Sequence, residues 1–251
     1  PSVTMRPSVV LLHRGLEHQT HFAATAACIR GNSHRRVVGL RGHVSSLSRH
    51  TPNTATVTTY ARPMGETEAA RLGAEAAARL AAVGTVSIEH GLTDAEFERA
   101  EQLSGAEFAD DHRAFLAAGL PVGTNWPNWR DAPRRSLQTW LQAPIDGVLF
   151  DVEWNSFWFD GWGQRPARME DALRSAKYHL ARVPRLVPVY SHRYLPAGRG
   201  SFGQPVLSVV QTDVIVYGID LPDYIANEFG PDESHPSPTA PSTVEFWSEL
   251  D

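Results

Sequence analysis

Cysteine is almost absent from this chain of 251 residues: Cys28 stands alone. An internal disulfide is therefore excluded, and such usage fits a reducing compartment. Lysine is as scarce, since 22 of the 23 basic residues are arginine and the other is Lys177. With the many alanines, this reads as compositional bias rather than as a selected basic surface. No stretch approaches the roughly 18 consecutive apolar residues of a membrane-spanning helix. The apolar residues 9–12 are interrupted by His13 and Arg14, short of the roughly 7–15 apolar residues of a secretory signal core. No export signal is read, and a cytoplasmic location is expected. Also missing are Cys-x-x-Cys, His-Glu-x-x-His, an EF-hand loop and a Gly-x-Ser-x-Gly elbow. The glycines 198, 200 and 203 follow Pro196 and open no helix, so they read as a surface loop rather than a phosphate cradle. No metal and no cofactor is expected.

Charge is present but unevenly spread. Residues 1–50 hold seven arginines, six of the eleven histidines and one acid, Glu17, whereas residues 51–251 hold 16 basic and 27 acidic side chains. An acidic body argues against nucleic acid, because phosphate recognition needs a cationic surface. It suits a basic protein partner through complementary charge, and it also serves solubility.

Residues 1–63 show no sustained period and are rich in His, Arg, Ser and Thr. They are expected to be a poorly ordered extension, since they bury too little apolar surface to offset their ordering entropy. Met64 opens a different texture and is expected near the biological start of a single domain over 64–251. Residues 66–83 are Ala-rich and free of proline, a helix by propensity. Thr93 and Glu96 stand at capping-box spacing, and residues 93–119 read as two short helices punctuated by Gly105 and Gly119. A loop is expected over 121–135, one or two helical turns over 136–143, and a strand over 147–153 from its β-branched and aromatic run. Residues 155–163 read as a Trp-rich loop and 167–183 as a helix. Residues 186–190 form an expected strand, placed at an edge by Pro188. Two further strands, 206–210 and 213–217, are separated only by Gln211 and Thr212, which implies a hairpin. Residues 221–229 read as a short helix and 230–243 as a Pro/Ser/Thr linker. Helices first, then strands with helices between them, without repeated βα alternation, give an α+β fold with a largely antiparallel sheet flanked by helices.

Three constellations bear on chemistry. On the expected strand 147–153, Asp151 and Glu153 share one face. They suit glycosidase-type acid and base roles, a hard cation, or simply a solvated strand face. His192-Arg193 follows the strand 186–190 and suits a base, an anion contact, or a hydrogen bond to a nearby loop. Trp126, Trp129, Trp154, Phe157, Trp158, Phe159 and Trp162 lie in or beside two loops. Such rings serve either as interface anchors or as a small core under long loops.

These segments together resemble a known family. Residues 92–97, followed by Phe108, Asp110, Arg113, Phe115, Leu116 and Gly119, resemble the amino-terminal helical pair of SUKH domains. Trp129-Arg130, residues 144–155, Phe157-Trp158 and Trp162-Gly163 are similar to one bacterial branch of that superfamily. So are residues 186–196 and 205–213, then Tyr217-Gly218, Leu221, Asp223-Tyr224 and Glu228-Phe229. The resemblance spans about residues 90–250, and its strand segments are more specific than its helices. It implies a SUKH-like central sheet flanked by helices, with no shared catalytic machinery. It also implies a protein-binding role: bacterial members resemble immunity proteins that neutralise polymorphic toxins, and fungal members regulate cell-wall synthesis through protein contacts. The residues most like the branch pattern are Asp151, Glu153, Asn155, Trp158, Trp162, His192, Arg193, Gln211 and Asp213, expected as a polar partner-binding surface. The expected function is a non-enzymatic immunity protein for a toxin domain. The alternatives are a hydrolase using Asp151, Glu153 and His192, and a regulatory scaffold without a toxin partner.

Overall fold

The computed structural model describes residues 64–231 and 243–250. The extension expected over 1–63 and most of the linker expected over 230–243 lie outside the described residues. Helix α1 (Met64–Val83) buries Ala69, Leu72, Ala76 and Leu80, which recur every third or fourth residue. It packs against α3 (Asp110–Ala118) and α6 (Leu221–Phe229). At Gly73 a Cβ atom would stand 2.4 Å from the Asp111 carbonyl oxygen, so glycine is what lets α1 and α3 approach so closely.

Helix α2 (Asp94–Ser104) has the expected capping box. The Thr93 backbone N–H donates to Glu96 Oε2 at 2.8 Å, and the Glu96 N–H returns a bond to Thr93 Oγ1 at 3.3 Å. Gly105 closes the helix in the left-handed region, at φ 69°. Two short strands outside the sequence reading, β1 (Ser87–Glu89) and β2 (Leu120–Val122), pair antiparallel. The residues 198–203 form the expected loop and are tied to α3. Gly200 N–H donates to Asp110 Oδ1 at 3.0 Å, and Gly203 N–H to Asp111 Oδ2 at 2.8 Å.

The largest correction concerns residues 147–153. They are not a strand but the last part of a helix, α4 (Arg134–Trp154). The buried residues Leu137, Pro144, Val148, Asp151 and Val152 follow a helical spacing, while Phe150 and Glu153 are exposed. Strand alternation would place 149, 151 and 153 together; burial here obeys the longer period. Pro144 made a helix across 136–154 look broken, because a proline cannot donate to the carbonyl four residues back. The fold fills that vacancy: the freed Trp140 carbonyl accepts the Tyr194 hydroxyl at 3.3 Å.

Helix α5 (Met169–Leu180) leads into a four-stranded antiparallel sheet: β3 (Leu186–Tyr190), β4 (Arg193–Pro196), β5 (Val206–Val210) and β6 (Asp213–Gly218). The strands lie in sequence order, with β3 at an edge as Pro188 requires and β5–β6 the expected hairpin. Strand β4 escaped the sequence reading because it is short and follows β3 after only Ser191 and His192, with Ser191 at φ 48°.

Helices cover both faces of this sheet. Val187, Val189, Leu195 and Val206 pack with Phe97, Phe108, Phe115 and Ile225. Leu186, Tyr194, Leu207, Val209 and Val214 pack with Val148, Val152, Ala176 and Trp247. The fold is thus mixed α+β with antiparallel sheets. Burial on both faces explains why β3 and β5 read as continuous apolar runs.

The first of these cores holds a pH-sensitive weak point. The His112 ring lies 5.2 Å from the Phe108 ring, and neither of its buried nitrogens has a hydrogen-bond partner. Burial pushes its pKa down to about 3 from an ordinary 6.5. The folded state therefore favours the neutral ring. Stability from this source is complete above about pH 6.5 and is lost as the pH falls toward 3. Asp111 acts in the opposite sense, because burial raises its carboxyl pKa and folding then favours the protonated form. Urea unfolding of His112→Leu should show a flatter loss of stability below about pH 6.5 than the parent chain. An equally steep loss in both would refute this role.

Candidate functional site

The residues expected at the site are dispersed over several places in the fold. Gly147 and Asp151 of α4 and its C-cap residue Asn155 recur every fourth residue and form a stripe along the β5–β6 turn. At Gly147 a Cβ would meet the Gln211 Cα at 2.8 Å. Gln211 itself adopts a left-handed φ of 59°. One helical turn later, the buried Asp151 carboxylate grips the hairpin: Oδ2 accepts the Thr212 N–H at 2.9 Å and its hydroxyl at 2.6 Å. Oδ1 accepts a short bond from Asn155 Nδ2. The Asp151 carbonyl also accepts the N–H groups of Asn155 and Phe157, both at 3.0 Å. Both carboxylate oxygens are thus engaged inside the protein.

Glu153 stands exposed on another side of the same helix. Residues two apart on a helix are rotated by roughly 200° from one another, so the paired carboxylates expected from a strand do not form. Asp213 is exposed at the start of β6.

His192 and Arg193 also separate. His192 is exposed in the β3–β4 turn, with Nδ1 3.1 Å from Ser191 Oγ. Partial burial, with the Arg193 charge beside it, lowers its pKa. Arg193 is buried on β4. Its Nε donates to Glu228 Oε2 and its Nη1 to Ser208 Oγ, each at 2.9 Å, and its guanidinium lies 3.8 Å from the centre of the Tyr217 ring. The Tyr224 hydroxyl in the same core is buried without a partner, and burial drives its pKa well up.

Most of the aromatic residues are core. Trp126 lies 4.7 Å from Tyr190, and Trp129 lies 4.8 Å from Phe108. Trp162 is buried, stacked on His179 at 5.7 Å and on Phe246 at 5.8 Å, with Trp158 edge-on at 5.2 Å. Trp158 is half-buried, and its Nε1–H donates to the Gly163 carbonyl at 2.7 Å. The loop containing Phe157, Phe159 and Trp162 is a small core on which the segment at Phe246 docks.

Trp154 differs from all of these, with 68% of its surface exposed. Phe150, one turn earlier and 45% exposed, places its ring centre 6.5 Å away. The sequence reading missed Phe150, because a strand assignment hid the four-residue spacing of Asp146, Phe150 and Trp154. Phe150 precedes Asp151, which holds the hairpin, and Trp154 precedes Asn155, which donates to Asp151. At that hairpin Val210 and Ile215 are exposed as well, at 47% and 44%. Asp146 and Glu153 are exposed on α4, which has no basic residue after Arg135, and Asp213 is exposed at the start of β6; the cation nearest these rings along the chain, Arg165, donates to the Val152 carbonyl.

No protein-family model, curated protein or solved structure matches the chain. Chemistry at the site rests on its own geometry. Among the described residues, no group of three His, Cys, Asp or Glu side chains is placed to hold a metal ion, and no helix is long and apolar enough to cross a membrane. What the α4–hairpin junction offers is an aromatic ridge bordered by carboxylates. Singly scattered apolar residues on a surface need no explanation, but two large exposed rings side by side on one helix face form an apolar patch.

Proposed function

We propose that this chain is a non-enzymatic protein-binding domain whose recognition surface is the outer face of α4 with the adjoining β5–β6 hairpin. The observation carrying this reading is the exposed Phe150–Trp154 pair, because exposed aromatic rings are the side chains most often found as interface anchors. The acidic neighbours Asp146, Glu153 and Asp213 favour a partner with a basic contact surface and speed its encounter. The resemblance to bacterial SUKH domains gives this partner a class: a polymorphic toxin domain, neutralised in the cytoplasm by occlusion of its working surface. A hydrolase built on Asp151, Glu153 and His192 gains no support, since Asp151 is committed to the hairpin and the three groups stand in separate places.

Co-expression with the toxic domain of any polymorphic toxin found encoded beside this gene tests the reading. The expected result is restored growth together with a complex that co-purifies and weakens in high salt. Continued killing without a complex would sink it.

A further inference from the structure

A concavity lies along α4 where that helix meets the end of α5 and the approach to β3. It is a cleft of about 760 Å³, within the range of roughly 300–1,000 Å³ common for small-molecule sites. Its apolar surface comes from Leu141, Leu149, Leu180, Leu186 and Trp247. Two cations, Lys177 and Arg185, stand on its rim, and neither forms an ion pair among the described residues. Most other arginines of α1, α3, α5 and the loops are paired with carboxylates, for example Arg71, Arg113, Arg130 and Arg174. Arg185 spends one N–H group on the Gly105 carbonyl, which leaves the rest of its five donors free. Asp146 of α4 also lines the cleft, so its lining carries two positive charges against one negative.

We propose that this cleft binds an amphiphilic carboxylate, an unbranched acyl chain laid on the leucines and Trp247 with its head group held between Lys177 and Arg185. Apolar burial supplies the bulk of the affinity. The charge-assisted bonds to the two cations fix the orientation and discriminate against neutral or cationic amphiphiles. The ridge rings Phe150 and Trp154 take no part in lining it, although Asp146 borders both.

Lys177 is also the only side-chain amine in the chain, so its chemical reactivity reports occupancy at one position. Decanoate, decanol and decyltrimethylammonium would be titrated into the full chain by calorimetry. In parallel, acylation of Lys177 would be followed by peptide mass spectrometry. Decanoate is expected to bind and to slow acylation of Lys177, decanol to bind more weakly, and the cation not to bind. Lys177→Ala and Arg185→Ala should each weaken decanoate by about tenfold, the loss of one charge-assisted contact. Lys177 stands in the last turn of α5, where a cation also complements the helix dipole. If Lys177→Ala lowers the melting temperature while decanoate affinity is unchanged in both variants, the dipole alone explains the residue and the proposal fails. Absence of decanoate binding, or equal binding of all three amphiphiles, overturns it as well. So does an acidic amphipathic peptide that binds where decanoate does not.

Discussion

Asp151→Ala should destabilise the protein by about 3–4 kcal/mol, measured as a shift of the urea midpoint with an unchanged slope. The carboxylate is buried and accepts three hydrogen bonds, from the Thr212 N–H, the Thr212 hydroxyl and Asn155 Nδ2. Removing it leaves the half-buried Thr212 N–H and hydroxyl and the Asn155 amide at the helix C-cap without their acceptor, and a partly buried donor left unmade costs more than its bond contributes. Asp151→Asn should lose less. An amide oxygen still accepts on one side, but its NH₂ then faces a donor on the other. Glu153→Ala, two residues on and exposed, should stay within about 0.5 kcal/mol of the parent. The contrast separates two roles. A carboxylate held for recognition or catalysis is commonly removed without loss of stability or with a gain, so a neutral Asp151→Ala would show that the α4–hairpin latch contributes little.

The second large effect concerns binding. Phe150→Ala with Trp154→Ala should weaken the complex with the proposed protein partner at least about 100-fold, since aromatic hot spots at an interface centre contribute about 2 kcal/mol or more each. Stability should hardly move. Both side chains are exposed, and alanine is the best helix former. Trp162→Ala provides the opposite control: that ring is buried between His179 and Phe246, so its loss should cost about 3–5 kcal/mol of folding free energy. Isothermal calorimetry and thermal unfolding on the same variants read both quantities. Full affinity in the double variant would remove the ridge from the interface.

Much of this architecture was legible where local chemistry and tertiary packing agree. The Thr93–Glu96 box sets the start of α2, Gly105 its end, and the two-residue separation of β5 and β6 dictates a hairpin. Pro188 correctly places β3 at an edge. The failure at α4 has two physical sources. Val148, Leu149, Phe150 and Val152 favour strand by propensity, and that preference is overridden by packing. Pro144 signals a break that is repaired by Tyr194, a hydroxyl 50 residues further along the chain. Such a long-range rescue leaves no local trace.

The same error shaped the expected site. Asp151, Asn155 and Gln211 do come together, as the resemblance grouped them, but through the helix–hairpin contact centred on Gly147 and Thr212. A strand would have aligned Asp151 with Glu153; the helix turns one inward and the other out. The resemblance grouped Trp162 and Arg193 with them. Each lies buried with partners from other elements, Phe246 for the first and Glu228 for the second. Those pairings cross 84 and 35 residues of chain and could not be read locally.

The proline inside α4 has a mechanical consequence. By withholding its own donor, Pro144 leaves the Trp140 carbonyl to Tyr194, a residue of an inner strand. Asp151 then fastens the far end of the same helix to the sheet's last hairpin. Anchored at two points more than two helical turns apart, the stretch between and just beyond them cannot tilt or slide against the sheet. Phe150 and Trp154 are therefore presented preorganised, and a partner docking on them has little backbone disorder left to quench.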